Sequence, residues 1–348
     1  ARAAPTRAAS TAGRAKPAPM TDAARRPVAV YTDVEDTDPA PGIALLESHG
    51  FEVRVLGTRD PAAIIAGAQD ADALLPGYAA ISREVIASLP HLKVIALMSM
   101  GFDYVDVEAA TEHGVWVTNV PGAATEEVAT HALALLLASA RQLPFYTASA
   151  TAERWNERAP EAPPRLSERT LGIVGLGKIG RAFARLAGPL FGRVLGYDPM
   201  LPDTPEVTAD LQRLGIERTS LDDVRRTSDA LSLHVPLTPE TARMVDAAFL
   251  ADMPAGAILL NVSRGGLIDN EALVDALDSG RLSGAALDVL DEEPPSPAHP
   301  LVGREDVVLT PHIAYFSRFT EVEYVRVQAQ NAVSAVLGGV PEAPVNRV

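Results

Sequence analysis

The chain has 348 residues, enough for two domains of ordinary size, and 47% of them are apolar, enough for a sizeable core. It contains no cysteine, which excludes disulfides, thiolate metal sites and cysteine nucleophiles, and no window reaches the roughly 18 uninterrupted apolar residues of a membrane span. The formal charge of −15 argues against a nucleic-acid groove and favours a soluble protein with small-molecule ligands. The absence of cysteine permits a reducing cytoplasm, which is the expected location.

The first 26 residues differ from the rest in charge and composition. They carry six basic residues against one acid, Asp22, and are rich in alanine and proline without apolar periodicity. They lack the apolar core of a secretory signal, which leaves two interpretations: an arginine-rich organelle transit peptide, or a disordered extension upstream of a start at Met20. We favour a disordered extension over residues 1–26.

From Pro27 onward, short apolar runs alternate with segments of helical periodicity. The predicted strands are 28–31, 51–56, 71–75, 93–97, 114–118, 171–174, 194–198, 230–233, 257–260, 284–287 and 307–309. The predicted helices are 41–49, 82–89, 125–141, 181–187, 270–278 and about 317–337, with a proline-rich loop at 160–165. Repeated βα units of this length predict parallel sheets covered by helices, in two α/β lobes. The helix at 125–141 is apolar nearly all round over 132–140, so we expect it to be buried on most sides, as a bridge between domains or a dimer contact.

Residues 175–180 have the glycine pattern of a dinucleotide-binding loop, between a predicted strand and a predicted helix. The three glycines allow a tight turn, close approach of a pyrophosphate to the backbone, and close packing of helix against strand. The N-terminus of the helix then faces the phosphates. Asp198 ends the next strand, where it would accept hydrogen bonds from the adenosine ribose and repel a 2′-phosphate. The pattern therefore predicts a nucleotide site that favours NAD over NADP.

Three further polar residues lie just past predicted strand ends, where a doubly wound sheet forms its ligand crevice. They are Arg264, Glu293 and His312. Each also has an ordinary structural interpretation, as a surface salt bridge, a solvated acid and a capping histidine. No cluster of histidine and acidic residues has metal-ligand spacing, so a metal-dependent dehydrogenase is poorly supported and no metal is predicted.

With these motifs the chain resembles the D-isomer-specific 2-hydroxyacid dehydrogenase family. The matching segments, in the family's order, are 98–106, 175–180, 261–266, 284–289 with Glu293 and Pro294, and 310–314. The similarity spans roughly residues 74–340. It implies an NAD-dependent oxidoreductase acting on the CH–OH group of 2-hydroxy acids, a D-2-hydroxyacid dehydrogenase or 2-oxoacid reductase. Glyoxylate, hydroxypyruvate, phenylpyruvate and longer aliphatic 2-oxoacids all remain open as substrates.

The resemblance also implies the architecture. The fold is α/β, with two doubly wound parallel-sheet lobes, and a Rossmann dinucleotide-binding domain is inserted in a flavodoxin-like substrate domain. The implied boundaries are 27–121 for the first part of the substrate domain, 122–314 for the NAD-binding domain and 315–348 for the returning C-terminal part. A homodimer through the dinucleotide domains is implied as well. The crevice between the lobes would close over the substrate and exclude water.

The resemblance implies three catalytic residues. Arg264 would hold the substrate carboxylate with its planar fork of donors, fixing C2 against the nicotinamide C4 for hydride transfer. His312 would donate the proton in reduction and accept it in oxidation, a role that suits a group titrating near neutrality. Glu293 would hydrogen bond to the imidazole and favour its protonated form. Asp291 and Glu292 are close rivals, but the family's acid directly precedes the proline.

The remaining site residues follow from the same resemblance. The expected cofactor contacts are Gly175, Gly177, Lys178, Ile179, Gly180, Asp198, His234, Val235, Pro236, Thr238, Val262, Ser263, Arg264, Asp288, His312 and Ala314. We expect the backbone of His234, more than its imidazole, to touch the cofactor. Asp288 is expected near the nicotinamide carboxamide, with a turn acid or N-cap as the alternative. His131 is interpreted as a satisfied core histidine.

The expected substrate contacts lie mainly in the first lobe. They are Tyr78, Ser99, Met100, Gly101, Arg264 and Tyr315. The turn at 99–101 would offer backbone N–H groups to the substrate carboxylate. Two tyrosines with Phe102 nearby indicate room for an apolar or aromatic side chain, with ordinary packing as the alternative.

A second hypothesis comes from residues 311–317 and 336–345. These segments look like the branch of the family that contains the C-terminal-binding transcriptional corepressors, which keep the dehydrogenase fold and respond to NADH. The alternative is thus an NADH-sensing binding protein with weak or vestigial dehydrogenase activity. The presence of arginine, glutamate and histidine together favours the enzyme.

Overall fold

A computed structural model describes residues 25–34, 37–151, 153–159 and 162–348 of the chain. The predicted N-terminal extension lies outside the described residues except for its last two, and the predicted loop at 160–165 lies partly outside them. Those last two residues contact the first lobe, since Arg25 donates to Asp72 and Arg26 donates to the carbonyl oxygen of Phe51. No helix in the described ranges is long and apolar enough to cross a membrane.

Twelve strands and twelve α-helices are assigned in the described residues, and the strands form two sheets. The first sheet and its helices comprise β1 Val28–Tyr31, α1 Ala40–Ser48, β2 Glu52–Val55, α2 Pro61–Gly67, β3 Ala73–Leu75, α3 Arg83–Ala87, β4 Val94–Ala96, α4 Val107–Glu112 and β5 Trp116–Thr118. The second part comprises α5 Thr125–Ala140, α6 Leu143–Ala148, β6 Thr170–Val174, α7 Lys178–Ala187, β7 Arg193–Tyr197, α8 Pro205–Arg213, β8 Ile216–Arg218, α9 Leu221–Thr227, β9 Ala230–Leu233, α10 Ala247–Asp252, β10 Ala257–Asn261, α11 Asn270–Asp278, β11 Leu282–Leu287 and β12 Val307–Leu309. The last helix, α12, spans Arg318–Gly338.

Both sheets are parallel, as the repeated βα units predict. The first has the order β2-β1-β3-β4-β5 and the second the order β12-β11-β10-β9-β6-β7-β8. In each sheet the strand order reverses once, between β1 and β3 in the first and between β6 and β9 in the second. In open parallel sheets, ligands bind outside the carboxyl ends of the strands at such a reversal. The predicted two-lobed α/β fold is therefore confirmed, and the topology locates the crevice of each lobe.

Helices cover both sides of each sheet, so the central strands are apolar on both faces, whereas the edge strands β2 and β8 carry exposed charged residues. The central strands β1, β3, β4, β9 and β10 are buried at every position. The helix α5, which we expect to be buried on most sides, packs against α7 and the strands β10–β12. Ala134 is exposed, however, and Leu133 and Leu137 are half-buried. Within this chain one side of the helix is therefore covered, and the dimer contact that would cover more of it stays a prediction.

The last helix lies against the first sheet, although the second sheet precedes it in the chain. Three small side chains of α12 enter the core of the first lobe, Ala329, Ala332 and Ala335. Beyond the helix, Val345 donates to the carbonyl oxygen of Val117 on β5. The first lobe is thus built from two parts of the chain, the segment that forms β1–β5 and the segment from α12 onward. The second sheet is inserted between them in the sequence. The domain boundaries themselves stay a prediction.

Every predicted strand and helix is present, with ends shifted by a few residues. Six helices were not predicted, namely α2, α4, α6, α8, α9 and α10, together with the short edge strand β8. The helix α9 shows the reason: its sequence is mostly charged, and Val224 is its single buried residue. Such a segment carries too little apolar periodicity to predict a helix.

One buried amide fastens α12 to the first sheet. Gln328 is 1% exposed, and its Nε2 donates to the carbonyl oxygens of Pro76 and Ala96, at 3.1 and 2.9 Å. We expect Gln328→Met to lower the free energy of unfolding by about 1–3 kcal/mol, because two buried acceptors lose their donor. Urea denaturation measures the change. The partly exposed Gln330→Met on the same helix is the control, and an equal effect of both variants would contradict this role for Gln328.

Candidate active site

The glycine loop between β6 and α7 has the geometry of a phosphate cradle. Gly175 has φ +95°, where only glycine is unstrained, and a Cβ at Gly180 would lie 2.0 Å from the carbonyl oxygen of Gly175. A Cβ at Gly177, by contrast, would meet no atom within 4 Å. No side chain caps the first turn of α7, so its N–H groups face the same open space. The loop therefore fits a dinucleotide pyrophosphate.

Asp198 ends the strand next to this loop. It is half-buried, and its two oxygens accept from the backbone N–H groups of Leu176 and Met200, at 2.8 and 2.9 Å. These bonds tie the carboxylate to the glycine loop and leave each oxygen a second lone pair. The position and charge fit the hydroxyl groups of an adenosine ribose.

The segment after β9 runs beside the glycine loop. The N–H of His234 donates to Val174, and its carbonyl oxygen lies 2.3 Å from the place of a Cβ on Gly175. The imidazole is buried against Phe183, its Nε2 lies 2.9 Å from the hydroxyl of Ser232, and burial lowers its pKa to about 3. The backbone of His234, and not its ring, therefore faces the glycine loop. Its expected contact with the cofactor stays a prediction.

A tight turn after β10 presents Arg264. Asn261 is fully buried, and its amide donates to the carbonyl oxygen of Arg264 while its Oδ1 accepts from the N–H of Ser263. The next residue, Gly265, packs on the backbone of Leu290, where a Cβ would lie 1.9 Å from the carbonyl carbon. Only glycine fits this approach, and it brings Arg264 to the loop that carries Glu293.

Glu293 and His312 form a hydrogen-bonded pair. The Nδ1 of His312 donates to Oε2 of Glu293 at 2.6 Å, and Oε1 accepts from the N–H of Leu290. Burial raises the pKa of Glu293, but the hydrogen bond and charge of His312 outweigh it, and Arg264 adds to them, so the pKa lies below its usual range. An ionised carboxylate therefore holds the Nδ1 proton and leaves Nε2 for a ligand.

Asp288 fixes the backbone that carries His312. It is 1% exposed, and its carboxylate accepts from the hydroxyl of Thr310 and from the N–H groups of Ile313 and Ala314, at 2.6, 2.9 and 2.8 Å. Its backbone oxygen accepts from the N–H of His312 at 2.7 Å. These bonds hold His312 at φ +52°, a left-handed conformation that is strained for any residue but glycine.

His131 completes this network from α5. Its Nε2 lies 2.9 Å from the hydroxyl of Thr310 and 3.6 Å from Oδ1 of Asp288. The interpretation of His131 as a satisfied structural histidine is therefore supported. The carboxylate of Asp288 is directed to the segment after β12, so it joins two loops and is neither a turn acid nor an N-cap. Its expected contact with the nicotinamide carboxamide stays a prediction.

The first lobe meets Arg264 through the loop after β4. A Cβ at Gly101 would lie 1.7 Å from Nη2 of Arg264. Asp103 accepts from Nε of Arg264 at 3.0 Å, and the same carboxylate oxygen lies 3.0 Å from Nη2. The hydroxyl of Ser99 donates to the carbonyl oxygen of Gly101 at 2.6 Å. The Asn119 amide donates to that of Met100. Two of the predicted substrate-binding segments, 99–101 and Arg264, thus lie in contact.

The loop after β3 forms another part of the rim. Tyr78 and Tyr315 face each other with their hydroxyl oxygens 3.2 Å apart. The loop is held by Asp33, a buried acid at the end of β1 that accepts from the N–H groups of Gly77, Tyr78 and Ala79. Arg59 lies 4.8 Å over the ring of Tyr78 and 3.3 Å from Asp33. The two tyrosines therefore form an aromatic wall beside the point where the strand order of the first sheet reverses.

Three residues of this region were not singled out from the sequence: Asp33, Asp103 and Asn261. The last two lie in segments that match the family, but nothing in those segments tells which side chains meet. Asp103 and Arg264 are 161 residues apart. Their positions after the strands β4 and β10 gave a signal, because strand ends of both sheets border the crevice.

Comparison with known proteins agrees with this geometry. Residues 133–314 match the family described as D-isomer specific 2-hydroxyacid dehydrogenase, NAD binding domain. The chain is 37% identical over 318 residues to a glyoxylate reductase of Korarchaeum cryptofilum, covering 89% of this chain and 93% of that protein. It therefore belongs to the D-isomer specific 2-hydroxyacid dehydrogenase family, and its second sheet carries the NAD-binding domain.

Two further similarities complete the comparison. A D-3-phosphoglycerate dehydrogenase of Mycobacterium bovis is 40% identical over 275 residues, which are 79% of this chain but 51% of that protein. The chain thus spans about half the length of this D-3-phosphoglycerate dehydrogenase. A crystal structure of D-lactate dehydrogenase from Aquifex aeolicus, complexed with NAD and lactic acid, superposes with a TM-score of 0.79 at 27% identity, covering 89% of this chain and 96% of that one.

The role of Asp288 is testable without a substrate. In Asp288→Asn the amide nitrogen would oppose the N–H of Ile313 or Ala314, which should lower the free energy of unfolding by about 2 kcal/mol. Denaturant titration measures this loss. The exposed Asp278→Asn on α11 serves as the control, and a variant of Asp288 as stable as the parent would show that the bonds are dispensable.

Proposed function

We propose that the chain is an NAD-dependent D-2-hydroxyacid dehydrogenase, which also reduces 2-oxoacids, with its active site between the two lobes. The observation that carries the proposal is the pair formed by Glu293 and His312 at 2.6 Å, within electrostatic reach of Arg264. All three side chains follow the carboxyl ends of strands in the second sheet, on the edge where the glycine loop lies. Family membership supports this reaction, and the D stereochemistry rests on that membership.

Each residue has a role that its contacts support. When bound, NADH supplies the hydride that reduces C2 of the substrate. The guanidinium of Arg264 binds the substrate carboxylate and orients C2. The Nε2 of His312 donates the proton that the C2 oxygen requires, while Glu293 keeps Nδ1 protonated and stabilises the imidazolium. In the oxidative direction, the neutral imidazole accepts the same proton.

The dinucleotide fits the glycine loop, α7 and Asp198. We propose NAD rather than NADP because a 2′-phosphate would meet the carboxylate of Asp198, which two backbone bonds hold in place. The substrate domain would comprise residues 27–121 and 315–348, with the NAD-binding domain at 122–314. A homodimer through the dinucleotide domains, with which α5 is compatible, is a further expectation from the resemblance, and a cytoplasmic location is one from the absence of cysteine.

The substrate is proposed only as a class. A small 2-oxo or 2-hydroxy acid would place its carboxylate on Arg264, near the turn at 99–101, and its side chain against Tyr78, Phe102 and Tyr315. The ring of Phe102 is 41% exposed and that of Tyr78 is 44% exposed, so both can contact a ligand. The relatives carry the names of enzymes for glyoxylate, phosphoglycerate and lactate, which vary in the group attached to C2.

A substrate panel tests the reaction and the cofactor together. We expect NADH oxidation with at least one of glyoxylate, hydroxypyruvate, phenylpyruvate and 3-phosphohydroxypyruvate, and a lower kcat/KM with NADPH because of Asp198. Absorbance at the NADH band measures turnover. Negligible turnover on every acid, combined with oligomerisation or partner binding that depends on NADH, would favour the alternative of a corepressor-like NADH sensor.

The acid–base role has its own test. His312→Ala should lower kcat by about 10²–10⁴-fold, because the C2 oxygen loses its proton donor, while the affinity for NADH changes little. Turnover and NADH fluorescence titration measure the two quantities separately. The matched control is His49→Ala, at the exposed end of α1, which should leave both unchanged. Full turnover in the His312 variant would remove this residue as the acid.

A further inference from the structure

A carboxylate of the first lobe reaches across the crevice to Arg264. Asp103, in the loop after β4, accepts from Nε of Arg264 at 3.0 and 3.2 Å through its two oxygens, and its Oδ1 lies 3.0 Å from Nη2 in an ion pair. The side chains are 39% and 27% exposed, so the pair is partly shielded from solvent. This ion pair joins the lobe that would carry the substrate to the lobe that would carry the cofactor.

The donors of the guanidinium can be counted. Arginine has five N–H donors in a planar fork. Asp103 takes Nε–H through both of its oxygens and lies 3.0 Å from Nη2, and the carbonyl oxygen of Ser263 takes one Nη1–H at 2.8 Å. In the described part of the chain, Nη2 donates no hydrogen bond and Nη1 donates only this one. The Nε side of the fork is therefore held by protein, and N–H groups of Nη1 and Nη2 are left for a ligand.

The free edge suits a 2-oxoacid. Its two parallel N–H groups match a pair of adjacent oxygens, either both carboxylate oxygens or one of them with the C2 oxygen. Gly101 lets Nη2 pack closely on the turn at 99–101, since a Cβ there would lie 1.7 Å from Nη2. Because Asp103 takes the Nε donor, a substrate on the Nη1 and Nη2 donors does not need to displace it.

We infer that Asp103 is a positioning residue: it holds the Nε side of Arg264, so that the Nη1 and Nη2 donors are aimed at the substrate when the lobes are together. The inference rests on the proposed function and adds a residue from the opposite lobe to it. An unheld arginine side chain samples many rotamers, and ordering it costs free energy at the moment of binding. Asp103 removes most of that freedom before the substrate arrives.

Because Asp103 is charged, a role in positioning Arg264 can be distinguished from a mere effect on substrate affinity. A carboxylate beside Arg264 repels the substrate carboxylate, so loss of the charge alone would strengthen substrate binding. Loss of the positioning would instead slow the reaction, because a small misplacement of a bound group can cost up to about 10²-fold in rate. The two effects act on different kinetic constants.

The first experiment compares Asp103→Asn with Asp70→Asn. Asp70 pairs with Arg54 at 2.5 Å on the far side of the first lobe, before β3, so it controls for loss of a carboxylate–arginine pair. We expect Asp103→Asn to lower kcat about tenfold or more with KM unchanged or lower, and Asp70→Asn to leave both constants as in the parent. In an Arg264→Lys background, which lacks the fork, Asp103→Asn should cause no further loss of kcat.

The second experiment needs no turnover. Phenylglyoxal modifies arginine, and peptide mass spectrometry gives the rate at Arg264 in the full-length protein. We expect Asp103→Asn to speed modification of Arg264 several-fold and Asp70→Asn to leave it unchanged.

The outcomes separate the two claims. If the parent reduces 2-oxoacids but Asp103→Asn alters neither kcat nor the modification rate, the inference is overturned while the proposed function stands. A lower KM with unchanged kcat also overturns it, since Asp103 would then only compete with the substrate. A parent without turnover, whose Arg264 still becomes more reactive in Asp103→Asn, would support the hold on Arg264 and contradict the proposed function.

Discussion

The buried carboxylate of Asp288 is the interaction on which the arrangement of the site depends most. It lies at the end of β11 and accepts three hydrogen bonds from the segment after β12. Bonds of this kind to a charged acceptor contribute about 1.5–3 kcal/mol each, more than the roughly 1–2 kcal/mol of a left-handed residue. One acid therefore sustains the unusual backbone of His312 and delivers its imidazole to Glu293.

The electrostatics of the site follow from this placement. Two carboxylates and two cationic or titratable groups alternate, with Asp103 on Arg264 and Glu293 on His312. Burial raises the pKa of Asp103, but Arg264 lowers it below its usual range, and His312 contributes to the lowering. Arg264 and His312 thus each have a fixed carboxylate partner, as the proposed binding of an anionic substrate with a proton-accepting oxygen requires.

Sequence reasoning reached the parts of the fold in which local pattern and tertiary packing agree. The bounds of α11 were predicted correctly at 270–278, since Asp269 caps its first turn and Gly280 ends the segment after it. Arg264, Glu293 and His312 could be chosen because each follows a strand. Asp103 and Asp33 also follow strands, but the groups that they contact could not be predicted, because a contact between distant loops leaves no periodicity in the sequence. The charged helix α9 was missed because it depends on packing of a single valine.

The division of the site between two sheets has a consequence for how such proteins diverge. The groups proposed for proton transfer and for the dinucleotide all belong to the second sheet, whereas Tyr78 and Phe102 belong to loops of the first. Mutations in those first-sheet loops can accumulate during evolution and reshape the wall around C2 without touching the imidazole or its carboxylate. The loop after β4 is the exception, because it also carries Asp103: drift there is constrained by the need to keep one acid facing the arginine.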